Sequence, residues 1–194
     1  MPLAAKAAAA AHAENLHFAA IVDSHFYLCC GVCGRMEIYM TLCDFAGMLV
    51  MNSPKAKAKM QGSGVSGEVS FFEVGRNVIV VADIAGLPKQ KENCECGVFG
   101  FHIHSGGDCG GSADTPFANT KGHYNPGDCP HPCHAGDMPP LFGNNGRAWM
   151  AFMTDRFKVE EIIGKTVVIH MMPDDFRTQP SGDSGEKIAC GVIE

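Results

Sequence analysis

The sequence of 194 residues has no basic excess: 15 lysines and arginines stand against 21 acidic side chains, a formal net charge of −6. Nonspecific attachment to nucleic acid or anionic lipid, which rests on positive charge, therefore has no basis in the overall charge. Long apolar runs are missing as well. The most apolar stretch, residues 18–51, is broken by Asp23, His25, Arg35, Glu37 and Asp44, so no run of about 18 uncharged apolar residues survives to span a membrane. A secretory signal is not recognisable, because Lys6 followed by alanines lacks the apolar centre and cleavage site that export requires. The charge-rich, apolar-poor signature of disorder is also lacking, with 46% hydrophobic and 19% charged residues.

What the chain has instead is turn formers and metal-ligating side chains: 23 glycines, 11 prolines, 10 cysteines and 9 histidines. Residues 1–20 contain ten alanines and read as a helix by propensity, though with little to pack. Residues 52–67, NSPKAKAKMQGSGVSG, read as a linker. The expected organisation is therefore an N-terminal extension and linker over residues 1–60, helical or disordered, and a globular domain over 61–194. Five basic and four acidic side chains lie in residues 1–59, against ten and seventeen in 60–194, so the globular part is distinctly acidic.

After residue 60 no long helical period appears. Short segments rich in β-branched and aromatic residues predict strands over 69–74, 77–87, 97–104, 147–154, 165–172 and 187–193. This pattern points to an all-β sandwich or barrel. The segment 105–146, dense in Gly, Pro, Asn and Asp, is too long for an idle connection and is expected to carry function.

Six histidines fall in the domain. In FHIH, His102 and His104 share one strand face about 7 Å apart, a spacing that suits one metal ion; taken alone, the motif reads more readily as two half-exposed strand histidines. In GHYNPGDCPHPCHAGD, the side chains of His123, His131, His134 and Asp137 fall within fifteen residues, and three imidazoles with one carboxylate meet the tetrahedral demand of zinc. His170 ends the apolar run TVVIH, where an unpartnered ring would be costly to bury.

The segments GFHIH, GHYNP, HPCHAGD, VVIH and GEKIACGVI, in that order, resemble the copper/zinc superoxide dismutase family, and HAGDMPPLFGNNG resembles its bacterial branch. The resemblance implies an eight-stranded Greek-key β-barrel or sandwich, immunoglobulin-like, with long metal-binding loops. It implies copper held by His102, His104, His123 and His170, and zinc held by His123, His131, His134 and Asp137, with His123 shared as an imidazolate. Asp174 matches the family's carboxylate that hydrogen-bonds one histidine of each site, here His102 and His131, and orients both rings.

The family also ties a loop cysteine to one in the last strand, implying a disulfide between Cys109 and Cys190. Where the family has an arginine at the mouth of the copper channel, this chain has Lys187, a point charge without a guanidinium's fork. The implied reaction converts superoxide anion to oxygen and hydrogen peroxide by alternating reduction and reoxidation of copper. The competing reading is a copper/zinc-binding relative with little turnover. A homodimer is open. For compartment, the disulfide favours an oxidising, extracytoplasmic place, and the missing signal favours the cytosol. Cys129 and Cys133 flank His131 without a role in the resemblance, and Cys94, Cys96, Cys30 and Cys33 are expected to be structural or free thiols.

Overall fold

A computed structural model of the chain describes residues 53–90 and 96–194, together with Gly47. The expectations for residues 1–52, including His12, His17, His25 and the cysteines at 29, 30, 33 and 43, lie outside the described residues, as does Cys94. Residues Pro54–Glu194 form one compact unit. Its described residues form nine strands: β1 Ala56–Gly62, β2 Ser66–Val74, β3 Asn77–Ala85, β4 Cys96–Phe99, β5 Phe101–His104, β6 Leu141–Asn144, β7 Arg147–Thr154, β8 Thr166–His170 and β9 Lys187–Val192. One turn of α-helix, α1 Val159–Ile162, and a 3₁₀ turn, Ala118–Thr120, complete the described elements. No helix among the described residues is long and apolar enough to cross a membrane.

The strands form one antiparallel sheet in the order β4-β6-β7-β3-β2-β1-β9-β8-β5. Its two ends, β4 and β5, are consecutive in sequence and separated only by Gly100, so a single run of chain draws the sheet into a nearly closed barrel. Gly100 is required there: its amide donates to Met172 O (2.8 Å), its carbonyl accepts from His170 N (2.8 Å), and a Cβ would lie 2.9 Å from Ser184 Cβ. This break also turns the expected eight strands into nine, since residues 96–104 pair with β6 before Gly100 and with β8 after it.

Two strands were not legible in composition. Residues 56–62, expected to be linker, alternate buried Ala56, Ala58 and Met60 with exposed Lys57 and Lys59; pairing with β2 overrides the weak strand preference of Ala and Lys. The short β6 turns into β7 through Asn145 and Gly146, at φ 50° and 71°, the two-residue hairpin that needs left-handed backbone. The core is filled by Met60, Phe71, Phe99, Phe101, Ile103 and Ile169, all at most 1% exposed. Along β5 the alternation sends Phe101 and Ile103 inward to this core and His102 and His104 to the opposite face, where the long loop covers them.

Candidate metal centre

The loop after β5 returns along it as a short backbone ladder: Tyr124 N donates to Ile103 O (2.8 Å), Ile103 N to Gly136 O (2.9 Å) and Gly136 N to Tyr124 O (2.8 Å). His123 is thereby set opposite His104, and Asp137 opposite His102. On the other side β8 lies beside β5, and a register irregularity after Ile169 turns His170 into the same space. Six imidazoles thus converge on one face of the barrel.

They form two groups. The ligand atoms of His102, His104, His123 and His170 lie within 4.8 Å of one another, and so do those of His123, His131, His134 and Asp137. His123 alone belongs to both, its ring centroid 4.0 Å from that of His102 and 5.5 Å from that of His134. All but His123 are buried, which removes the half-exposed reading of FHIH.

Hydrogen-bond partners fix which nitrogen each ring presents. His104 Nδ1 donates to Lys121 O (2.8 Å) and His170 Nδ1 to Gly185 O (3.2 Å), so their Nε2 lone pairs face one another at 3.2 Å. That approach is repulsive unless a cation sits between them. His102 Nε2 and His131 Nε2 donate to the two oxygens of Asp174, at 2.8 and 2.9 Å, leaving both Nδ1 atoms as acceptors. Those two atoms and His123 Nε2 are buried without a hydrogen-bond partner among the described residues. Orphaned nitrogens of this kind are what a metal would satisfy. His123 Nδ1 lies 2.7 Å from Asp137 Oδ1, and His131 Nδ1 lies 3.0 Å from Asp137 Oδ2. The donor set therefore fits two ions: one faced by four imidazoles, one by three imidazoles and a carboxylate.

Burial holds four of the rings, His102, His104, His134 and His170, toward the neutral form that binds a metal. Burial, reinforced by neighbouring His102, pushes His170 down to about 3, and burial with His123 and His170 nearby holds His104 well below its usual range. Burial also lowers His102 and His134. For Asp174 burial acts upward, but hydrogen bonds from His102, Phe176 N and His131 outweigh it and keep the carboxyl far below the ordinary range. Because the unfolded chain protonates His170 near pH 6.5 and the folded chain only near 3, the unfolded state binds more protons in between, and stability is lost as the pH drops through that window. The metal-free protein is expected to lose on the order of 3 kcal/mol from this ring by pH 4, read as a falling thermal midpoint from pH 7 to 4; a flat profile would contradict it.

Asp174 itself is placed by the loop after β8, and Asp175 beside it caps its own turn, accepting from Arg177 N and Thr178 N at 2.8 Å each. Gly182 closes over the bridge: at φ 67°, a Cβ there would collide with Asp174 Oδ1 and lie 2.7 Å from His131 Nε2. Gly182→Ala is expected to weaken metal retention by about 10–100-fold, the range for losing a ligand-orienting contact, measured by competition with a chelator; unchanged retention would show that the carboxylate is free to shift.

Lys187 opens β9 at the rim of the first group. Its ammonium donates to Thr120 Oγ1 (2.7 Å), Lys121 O (3.0 Å) and Phe117 O (3.4 Å), and burial lowers its pKa. These acceptors come from the 3₁₀ turn and its two flanking residues, and earlier in the same loop a disulfide joins Cys109 to Cys190 of β9. Cys96, Cys129 and Cys133 are free and exposed. Sequence reasoning missed Arg156, whose Nη1 contacts Pro132 O, His134 O and Asp137 O, and Gln179, whose amide accepts from His131 N (2.9 Å) and donates to His131 O (2.7 Å). Both act on backbone atoms from distant segments, for which the sequence carries no local signal.

Residues 65–193 match the copper/zinc superoxide dismutase (SODC) family. The chain is 33% identical over 144 residues to superoxide dismutase [Cu-Zn] 2 of Aquifex aeolicus, covering 66% of this chain and 79% of that protein. It is 34% identical over 154 residues to superoxide dismutase [Cu-Zn] of Escherichia coli K12, covering 69% and 82%. The fold is similar to that of the Cu/Zn superoxide dismutase from Brucella abortus, with a TM-score of 0.60 and 25% identity over 72% of this chain and all of that one.

Proposed function

The chain belongs to the copper/zinc superoxide dismutase family, a family of oxidoreductases, and from this we propose that it disproportionates two superoxide anions to oxygen and hydrogen peroxide at the paired histidine groups. Copper would be held by His102, His104, His123 and His170, and zinc by His123, His131, His134 and Asp137. The single supporting observation is that His123 serves both groups, its Nε2 unpartnered toward the first and its Nδ1 turned to Asp137 in the second. Bound copper supplies one-electron redox chemistry, and zinc, with its closed d shell, supplies none.

The side chains account for the rest. Asp174 locks His102 and His131 in one tautomer, so that both groups are oriented by one carboxylate. His123 Nε2 would take up a proton from solvent in one half-reaction and give it to the departing peroxide in the other, the second proton of hydrogen peroxide coming from solvent. Lys187 draws an anion toward the first group as a fixed charge, because its three N–H bonds already point at protein acceptors. His104 Nδ1 shares one of those acceptors, Lys121 O, which couples the cation's position to a copper ligand. Support for a homodimer comes from the outward face of β6 and β7, where Phe142 and Trp149 are 71% and 63% exposed; sedimentation equilibrium tests it.

Superoxide decay catalysed by zinc-loaded protein before and after one equivalent of copper tests the reading: activity is expected only after copper, and none after copper leaves a binding protein without turnover. Lys187→Met is expected to lower kcat/KM and flatten its dependence on ionic strength, since screening acts on the attraction that this charge provides. Lys187→Arg is expected to raise kcat/KM by adding a bidentate donor. Variants indistinguishable from the parent in stopped-flow assays would remove Lys187 from the mechanism.

A further inference from the structure

We propose that Arg156, outside both histidine groups, is the positioning residue that pre-forms the zinc loop. The proposal rests on the assignment of zinc to His123, His131, His134 and Asp137. One guanidinium nitrogen, Nη1, lies 3.0 Å from Pro132 O, 3.3 Å from His134 O and 3.2 Å from Asp137 O. Three carbonyl dipoles directed at one point repel one another, and two N–H bonds cannot satisfy three oxygens singly; the positive charge stabilises the convergence. Two of the three carbonyls belong to His134 and Asp137, whose side chains are members of the group. Arg156 therefore grips the backbone of two ligand residues without touching the ligand atoms.

The grip is itself well anchored. Arg156 lies two residues beyond the end of β7, its amide donating to Thr154 Oγ1 (3.2 Å), and precedes Phe157, which is 2% exposed and packs edge-on against Phe71 at 6.3 Å. Strand end and core thus fix the arginine's backbone independently of the zinc loop. From the other side, the Gln179 amide holds both backbone polar groups of His131. Between these two clamps the turn closed by Cys133 N donating to Pro130 O (2.8 Å) has little freedom, so the ordering cost of gathering four ligands is met by the protein before an ion arrives.

The test is zinc release from the full-length, zinc-loaded protein to a chromophoric chelator, with the melting of the metal-free chain recorded alongside. Arg156→Met is expected to release zinc about 10–100-fold faster, the effect of losing a contact that orients ligands, while the metal-free melting profile stays that of the parent. Arg156→Lys, which keeps the charge, is expected to fall between the two. Release within twofold of the parent from Arg156→Met would overturn the proposal, as would equal acceleration in both variants with a matching fall in metal-free melting, which marks general destabilisation. A parent chain that takes up no zinc would instead overturn the zinc assignment on which the proposal rests.

Discussion

His123→Ala is expected to reduce superoxide dismutation by at least about 100-fold, the upper end of what losing a mere ligand-orienting contact costs, and to lower the content of both metals. The reason is its double membership: removing the ring takes one donor from each group at once. It also takes away the hydrogen-bond partner of Asp137 Oδ1, 2.7 Å away, leaving a buried carboxylate oxygen less well paired. The contrast variant is His134→Ala, which belongs to the second group alone and is expected to lose zinc while keeping copper. Metal content by mass spectrometry, measured with superoxide decay on the same samples, distinguishes the two. Full content of both ions in His123→Ala would end the shared-ring reading.

Breaking the bond between Cys109 and Cys190 is expected to have the largest effect on stability. It closes a loop of 81 residues, for which constraint of the unfolded chain predicts about 4–5 kcal/mol, or on the order of 10 °C in Tm for a domain of this size. Cys109→Ala, compared with the parent by calorimetry in the absence of reductant, measures it directly; an unchanged Tm would mean that the loop is held by its other contacts. Those contacts exist, since Gly106 N donates to Thr120 O (2.8 Å) and Thr166 Oγ1 to Gly106 O (3.0 Å). They tie Gly106 and Thr120, on either side of Cys109 in the segment after β5, close to the acceptors of Lys187. Activity is therefore expected to fall less than stability does.

The candidate site was far more legible than the barrel that carries it. FHIH on a strand fixes two rings to one face by the two-residue period alone, and His123, His131, His134 and Asp137 are near enough in sequence for a loop to gather them. The strands were harder to read at the edges of composition. Ala56–Gly62 is built from residues that disfavour strands and is held by its neighbours; Leu141–Asn144 is too short to show a period.

What the sequence determined by itself is the chemistry: which ligating side chains exist, which of them share a face or a loop, and that the domain is made of short strands. These follow from local rules, the pleat of a strand and the residue types that metals accept. The bridge of Asp174 between His102 and His131 was implied by the family resemblance and not by spacing, and tertiary structure alone decided that Arg156 and Gln179 bond the backbone of the loop carrying His131, His134 and Asp137 and that Gly100 carries one run of chain from one end of the sheet to the other. Those pairings depend on where carbonyls and carboxylates point after the barrel closes, and no spacing along the chain encodes a direction in space.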